Sequence, residues 1–329
     1  MEVAGNSSRL MAQPAGRQSA RQFSAGESLD FWSTFLMIST MGKPRVAFFG
    51  LGLMGAGMAH RLVHAGFSLA VYNRNLEKTI PFAAAGARVA GSPAEASQGA
   101  EVIISMVADD VASREVWLGP AGALAGTAAG AVCVESSTLS VDWIRKLSAE
   151  AVKRGCAFLD APVTGSRVHA ETGALNFLVG GPAETLEKVR PVLAAMSKSI
   201  VPLGPVGSGA LVKLINNFLC GVQAASLAEA MAMIERSGLD RTAALEVLYN
   251  GASASPLVKT LGPRMTSGEY TPNFLLRLMT KDLGYAVEEG ARLSIDLATA
   301  ASALTVFKSA IANGQGDQDF SSVVEQFRK

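Results

Sequence analysis

Short apolar runs and longer amphipathic stretches alternate along this chain, and the alternation stops near Gly204. The runs Val46–Phe49, Leu69–Tyr72, 102–107, Val132–Glu135 and 158–161 have the length and the β-branched or aromatic content of buried strands. After the first run Met58, Ala59, Leu62 and Val63 recur at helical spacing, and Gly66 follows as a C-terminal stop. Pro81 makes the next helix short or late, and Gly86 ends it. Ser92-Pro93-Ala94-Glu95 reads as a capping box with Pro at the first helical position. Asp109-Asp110 opens a further helix, and Val141–Lys153 forms another that stops at Gly155. Runs at 176–179 and 200–203 flank a helix over 184–196 and extend the sheet. This rhythm predicts βαβ units and a mainly parallel sheet.

Beyond Gly207-Ser208-Gly209 the pattern is helical, beginning with one long stretch over 211–236 that is rich in Ala, Leu and Met and ends at Gly238. Helices near 241–249, 274–293, 297–313 and 321–327 follow, with no convincing strand and no internal repeat. The expected architecture is an α/β domain over residues 43–205 and an all-α domain over 206–329, joined by the long helix as a bridge. Residues 1–42 stand apart as a leader. They are rich in Ser, Ala, Gly and Gln, carry Arg9, Arg17 and Arg21, and show no apolar period until Phe31. Two readings stay open for them. One is an organelle transit peptide, which implies a mitochondrial or plastid location. The other is a disordered or misassigned leader with Met41 as a start, which leaves the protein cytoplasmic.

Composition narrows the function classes. In 329 residues, 49% are apolar and the net charge is +1, with no basic block for a nucleic acid and no acidic tail. The uncharged stretches are broken by Gly and Pro, so no membrane span is expected. Cys133, Cys156 and Cys220 are scattered, without a C-x-x-C, which fits neither a disulfide framework nor a zinc site. His60 and His64 share a helical spacing but lack a third ligand, so no metal is expected.

Gly50-Leu51-Gly52-Leu53-Met54-Gly55 is a G-x-G-x-x-G placed where the first strand turns into the first helix. Gly50 permits the tight turn, Gly52 lets the backbone approach a pyrophosphate, and Gly55 lets helix and strand pack closely. The helix N-terminus then offers N–H groups and positive dipole to the phosphates. The α/β part is therefore a Rossmann-type dinucleotide domain. Its second strand ends in Asn73-Arg74 with no acid, which favours the 2′-phosphate of NADP(H) and leaves NAD(H) as the alternative if Arg74 only lines the adenine.

Three further stretches carry chemistry. Asp160-Ala161-Pro162-Val163-Thr164-Gly165-Ser166 leaves a strand at the carboxyl edge of the sheet, where its hydroxyls and free N–H suit a carboxylate, or where it is an ordinary loop. Lys213 sits in an otherwise apolar turn of the long helix, with Asn217 one turn further on the same face. Such a lysine either snorkels to solvent or works as a proton donor with a pKa lowered by burial. Phe274 and Asp282 lie two turns apart and can share a face of a later helix, with Lys281 pointing elsewhere; alone they read as an ordinary helix face.

Together these motifs resemble the β-hydroxyacid dehydrogenase family, which includes 3-hydroxyisobutyrate dehydrogenases, tartronate semialdehyde reductases and glyoxylate/succinic semialdehyde reductases. The resemblance runs from about Arg45 to the end and rests on G-L-G-L-M-G-A-G-M-A, D-A-P-V-T-G-S, G-S-G-A-L-V-K-L-I-N-N and K-D-L, in family order. It implies Lys213 as the catalytic residue. It implies Thr164, Gly165, Ser166, Asn217, Phe274 and Asp282 around the substrate. The implied cofactor set is Gly50, Leu51, Gly52, Leu53, Met54, Gly55, Asn73, Arg74, Met106, Thr138 and Lys281. The stretch G-S-R-V-H-A-E-T-G-A-L looks most like the glyoxylate/succinic semialdehyde branch, although Thr164 stands where a Ser is usual. His169, in the same stretch, has no implied role. The expected substrate is a small carboxylate-bearing aldehyde or hydroxyacid, with neither nucleic acid nor membrane as partner, and the expected assembly is a homodimer or homotetramer. An NAD-dependent 3-hydroxyacid dehydrogenase is the nearest alternative, and a non-catalytic nucleotide-binding module a more distant one.

Overall fold

The computed structural model describes residues 42–328, so the leader reading lies outside the described residues. The sheet is built from β1 (Val46–Phe49), β2 (Leu69–Tyr72), β3 (Arg88–Val89), β4 (Val102–Ser105), β5 (Val132–Glu135), β6 (Ala157–Asp160), β7 (Val163–Thr164), β8 (Leu175–Gly180) and β9 (Ser197–Gly204). Its order is β3-β2-β1-β4-β5-β6-β8-β7, with β9 also on β8. Pairing is parallel from β3 through to β6, turns antiparallel where β8 meets β6 and β7, and is parallel again between β8 and β9.

The two-residue period of the strands splits the core in two. Val46, Phe48, Val71, Ile104 and Val134 face one layer with Met58 and Leu62. Ala47, Phe49, Ala70, Ile103 and Cys133 face the other with Trp117, Trp143 and Leu147. Burial on both faces is why these strands read as unbroken apolar runs. A third core, built on Ala228, Met231, Leu276, Leu283, Phe307 and Val323, belongs to the helical region.

The helix Ser208–Arg236 belongs to two of these cores. Ala210 and Leu214 pack with the sheet, whereas Ala224 to Ile234 contribute to the helical core. By length and composition alone this helix could cross a membrane. Here it packs against the helices Pro256–Ser267, Leu276–Arg292 and Ala298–Ala312.

Several elements differ from expectation. The strand expected to reach residue 107 ends at Ser105: the Met106 N–H makes the last ladder bond, to the Phe49 carbonyl at 2.9 Å, and the Val107 N–H turns to the Ser137 hydroxyl at 2.7 Å. The box at Ser92 is only half formed: Ser92 accepts the Glu95 N–H at 3.1 Å, but the Glu95 carboxylate accepts the Gly91 N–H at 2.8 Å. The helix Pro256–Ser267 lies between the expected helices near 241–249 and 274–293, where no element is expected. Ser255 caps it by accepting the Val258 N–H at 3.1 Å, and Pro256 occupies the first turn, where a missing N–H costs nothing. The last segment, Phe320–Gln326, is a 3-10 helix.

Gly57 sets a close helix–helix approach beside the sheet. A Cβ there would lie 2.9 Å from the Ala170 carbonyl carbon, on the short helix Arg167–Thr172. Overpacking of this kind costs ~1–3 kcal/mol. Gly57→Val is therefore expected to lower the thermal midpoint, read by circular dichroism; an unchanged midpoint would show that the two helices part freely.

Candidate active site

The carboxyl ends of β2, β1, β4, β5 and β6 lie side by side, and each leads into a segment singled out in the sequence. Gly50 leaves β1 with φ +88°, and a Cβ there would sit 2.2 Å from the Met106 carbonyl oxygen, so the turn closes against the exit of β4. At Gly55 a Cβ would sit 1.9 Å from the Gly50 carbonyl oxygen. Around Gly52 the opposite holds: a Cβ would meet nothing within 4 Å. Gly52 is the N-cap of Leu53–His64 and supplies no side-chain cap, so the first-turn N–H groups of Leu53 and Met54 face open space. That arrangement fits a dinucleotide pyrophosphate. From β2, Asn73 accepts the Leu51 N–H at 2.8 Å and donates to the Asn75 carbonyl at 2.7 Å, bracing the glycine loop. Arg74 is exposed and makes no hydrogen bond or ion pair among the described residues.

β5 ends in a charge that sequence reading passed over. Glu135 is fully buried, and its carboxylate accepts from Ser113 Oγ at 2.7 Å, Trp117 Nε1 at 2.8 Å and the Ser137 N–H at 2.9 Å. Ser137 in turn accepts the Val107 N–H at 2.7 Å, which ties the exits of β4 and β5 together beside Met106 and Thr138. Burial pushes the Glu135 carboxyl up, and the donors only partly offset it.

At the end of β6, Asp160 is buried and accepts the Gly207 and Ala210 N–H groups, each at 2.8 Å. It thereby caps the helix Ser208–Arg236 from another element. Gly209 makes this close: a Cβ there would lie 2.2 Å from the Leu178 carbonyl oxygen and 2.9 Å from Asp160 Oδ2. Lys213 lies one turn beyond the cap, half-buried, and makes no hydrogen bond or ion pair among the described residues. Burial holds its pKa below the usual lysine range, Lys281 adds to the effect, and Asp282 and Cys220 oppose it.

Asn217 is buried and donates to Asp282 Oδ2 at 2.6 Å, joining the long helix to Leu276–Arg292. Lys281 pairs with Asp282 Oδ1 at 2.8 Å and bonds the Thr138 carbonyl oxygen. Lys213, Asn217, Lys281, Asp282 and Thr138 are thus one cluster. On the antiparallel β7–β8 ladder Thr164 faces Asn176, whose amide donates to the Thr164 hydroxyl at 3.2 Å. Ser166 and His169 form a reciprocal capping box for Arg167–Thr172: His169 Nδ1 accepts the Ser166 N–H at 3.0 Å. His169 is therefore a loop brace. Gly165, between them, has φ +129°.

Phe274 is not where the periodicity placed it. The helix begins at Leu276, so Phe274 lies before it and cannot share a helical face with Asp282. The Asp319 carboxylate accepts the Asn273 and Phe274 N–H groups at 2.9 and 3.1 Å and holds this stretch as a bend ahead of the helix, and Phe274 meets Phe320 edge-on at 5.6 Å. Among the described residues no group of His, Cys, Asp or Glu is arranged to hold a metal.

Residues 45–204 match a family model described as the NAD binding domain of 6-phosphogluconate dehydrogenase. Residues 207–327 match one described as NAD-binding of NADP-dependent 3-hydroxyisobutyrate dehydrogenase. The chain is 35% identical to a glyoxylate/succinic semialdehyde reductase 2, chloroplastic, of Arabidopsis thaliana, over 88% of this chain and 80% of that one. It is 36% identical to an NAD-dependent L-serine dehydrogenase of Pseudomonas aeruginosa, over 86% of this chain and 97% of that one. The chain belongs to the β-hydroxyacid dehydrogenase family, of 3-hydroxyisobutyrate dehydrogenase type. The solved 3-hydroxyisobutyrate dehydrogenase of Mycobacterium tuberculosis with L-serine superimposes with a TM-score of 0.80 at 31% identity, covering 88% of this chain and all of the other. The family consists of nicotinamide-dependent oxidoreductases, and the glycine loop and its open phosphate cradle are the parts of this chain that fit such a cofactor.

A carboxyl whose pKa is raised on folding binds its proton more tightly in the folded state. Its contribution to stability is greatest on the acid side and is lost as pH rises from the ordinary Glu range through the raised value. Glu135→Gln cannot titrate. The wild-type thermal midpoint, taken relative to the variant's, should therefore decline as pH rises from about 4. Parallel curves would mean that Glu135 carries no such linkage.

Proposed function

We propose that this chain is an NADPH-dependent reductase of small aldehyde acids, converting glyoxylate to glycolate and succinic semialdehyde to 4-hydroxybutyrate, with Lys213 as proton donor. The observation that carries the reading is a desolvated, unpaired Lys213 beside an amide oriented by a buried carboxylate. Bound NADPH supplies the hydride. Lys213 holds a proton that burial makes easier to release, and gives it to the alkoxide oxygen as that oxygen gains charge. Asn217, fixed through Asp282, keeps one amide N–H free for the substrate. Thr164 accepts from Asn176, so its own O–H is left to donate to the substrate carboxylate, beside the Gly165 backbone; the Ser166 N–H is taken by His169. Fixed donors of this kind align the carbonyl and stabilise developing charge without reorganisation.

Arg74 supports NADPH over NADH, since an exposed, unengaged guanidinium at the end of β2 suits a 2′-phosphate and no acid stands there to bond the ribose. The similarity to an NAD-dependent L-serine dehydrogenase favours a second reading, oxidation of a 3-hydroxyacid with NAD. Exposed Ile215, Leu219 and Met233 along the long helix support a homodimer or tetramer. The chloroplastic name of one relative favours an organellar location over a cytoplasmic one.

Initial rates with NADPH and NADH over glyoxylate, succinic semialdehyde, 3-hydroxyisobutyrate and L-serine separate the two readings. The aldehydes with NADPH should be fastest; faster oxidation of a hydroxyacid with NAD would replace the proposal. Lys213→Ala should lower kcat by about 10²–10⁴-fold with KM for NADPH unchanged. Arg74→Ala should raise KM for NADPH on the order of tenfold and leave NADH kinetics alone.

A further inference from the structure

The carboxylate that acts on Lys213 is already taken. Asp282 is buried, its Oδ1 paired with Lys281 Nζ at 2.8 Å and its Oδ2 accepting from Asn217 Nδ2 at 2.6 Å. Lys281 is held from three sides: it pairs with Asp282, bonds the Thr138 carbonyl, and lies 4.8 Å over the Tyr285 ring. Tyr285 is fixed as well, its hydroxyl accepting the Asp110 N–H at 3.2 Å. An ammonium in low-dielectric surroundings ordinarily recruits the nearest carboxylate. Lys213 does not, because a second lysine occupies the place.

We propose that Lys281 is a positioning residue that holds Asp282 away from Lys213, so that Lys213 acts as a general acid and not as one half of a buried salt bridge. This rests on the reading of Lys213 as proton donor. A direct Asp282–Lys213 pair would stabilise the charged ammonium and make it a reluctant donor. With Asp282 engaged by Lys281 and Asn217, its negative charge still reaches Lys213 through space but is opposed by the positive charge of Lys281. Asp282 and Lys281 on the helix Leu276–Arg292, and Cys220 further along Lys213's own helix, are the titratable groups that act on Lys213. Burial and Lys281 favour its neutral form, and Asp282 and Cys220 favour its charged form. On this view the clamp is an electrostatic spacer whose anchor is the backbone at Thr138, and the exit of β5 governs the acidity of a residue on another element.

The test is the pH profile of kcat for aldehyde reduction, at saturating NADPH and glyoxylate. Reduction needs Lys213 protonated, so kcat falls along an alkaline limb as the ammonium is lost. Lys281→Met frees Asp282 and removes a like charge, and both changes raise the pKa of Lys213. The limb should move to higher pH by on the order of one unit, with a lower plateau kcat. Lys281→Arg keeps the charge and should leave the limb in place. Asp282→Asn should move the limb the other way, to lower pH, and serves as the second variant if Lys281→Met does not fold. A limb that stays put in both Lys281→Met and Asp282→Asn overturns the inference. Retention of turnover and of the alkaline limb in Lys213→Ala would instead overturn the proton-donor reading beneath it.

Discussion

A buried carboxylate at the end of a strand holds this structure together at its working edge. Asp160 ends β6 and accepts the N–H groups that open the helix Ser208–Arg236. Those N–H groups have no partner within their own helix, and leaving them unpaired in the interior would cost about 1–3 kcal/mol each. The carboxylate is itself desolvated, so it is stable there only because the helix start surrounds it with donors. Each party requires the other. The first turn of the long helix is thereby fixed on the sheet, and Lys213 is placed one turn later beside Asp282 and Lys281. Gly209 is part of the same constraint, since a Cβ there would collide with the Leu178 backbone and with Asp160.

A second layer of buried charge adjusts what Asp160 positions. Glu135 is buried without a cation and is satisfied by hydroxyl, indole and backbone donors. It sets the Ser137–Thr138 backbone, and the Thr138 carbonyl holds Lys281. Lys281 pairs with Asp282, and Asp282 orients Asn217. Hydrogen bonds and the Lys281–Asp282 ion pair therefore run from the sheet edge to the long helix through residues far apart in sequence. Partners so fixed do not reorganise when charge develops, which is what a proton-transfer site requires.

Most of the α/β region was legible because its signals are local. The glycine loop between Phe49 and Leu53, the helix Val141–Lys153 and its stop at Gly155 act within a few residues. Mistakes arose where a long-range contact overrode local preference. Phe274 reads as part of a helix, but the Asp319 carboxylate captures its N–H and keeps it in a bend ahead of the helix. Pro256–Ser267 is absent from the expected helices, but Ser255 caps it, and Val258, Leu261 and Met265 bury against the helical core. Asp160 appeared as the first letter of a substrate motif, with nothing nearby to mark it as a helix cap. Glu135 gave no signal, because two of its three donors, Ser113 and Trp117, lie on a helix 22 and 18 residues upstream. His169 carried no implied role, and the structure gives it a bond to Ser166 three residues away.

From order and spacing alone came the parallel sheet, the dinucleotide loop, the helical second half and the singular position of Lys213 in an apolar turn, because periodicity and turn chemistry are properties of neighbouring residues. Tertiary structure alone decided that Lys213 is unpaired, that Asp282 is shared between Asn217 and Lys281, and that Thr164 is engaged by Asn176. Those are distances between segments up to 65 residues apart in the case of Asn217 and Asp282. The acidity of a side chain depends on the charges and solvent that folding places around it, and a linear order of residues contains neither.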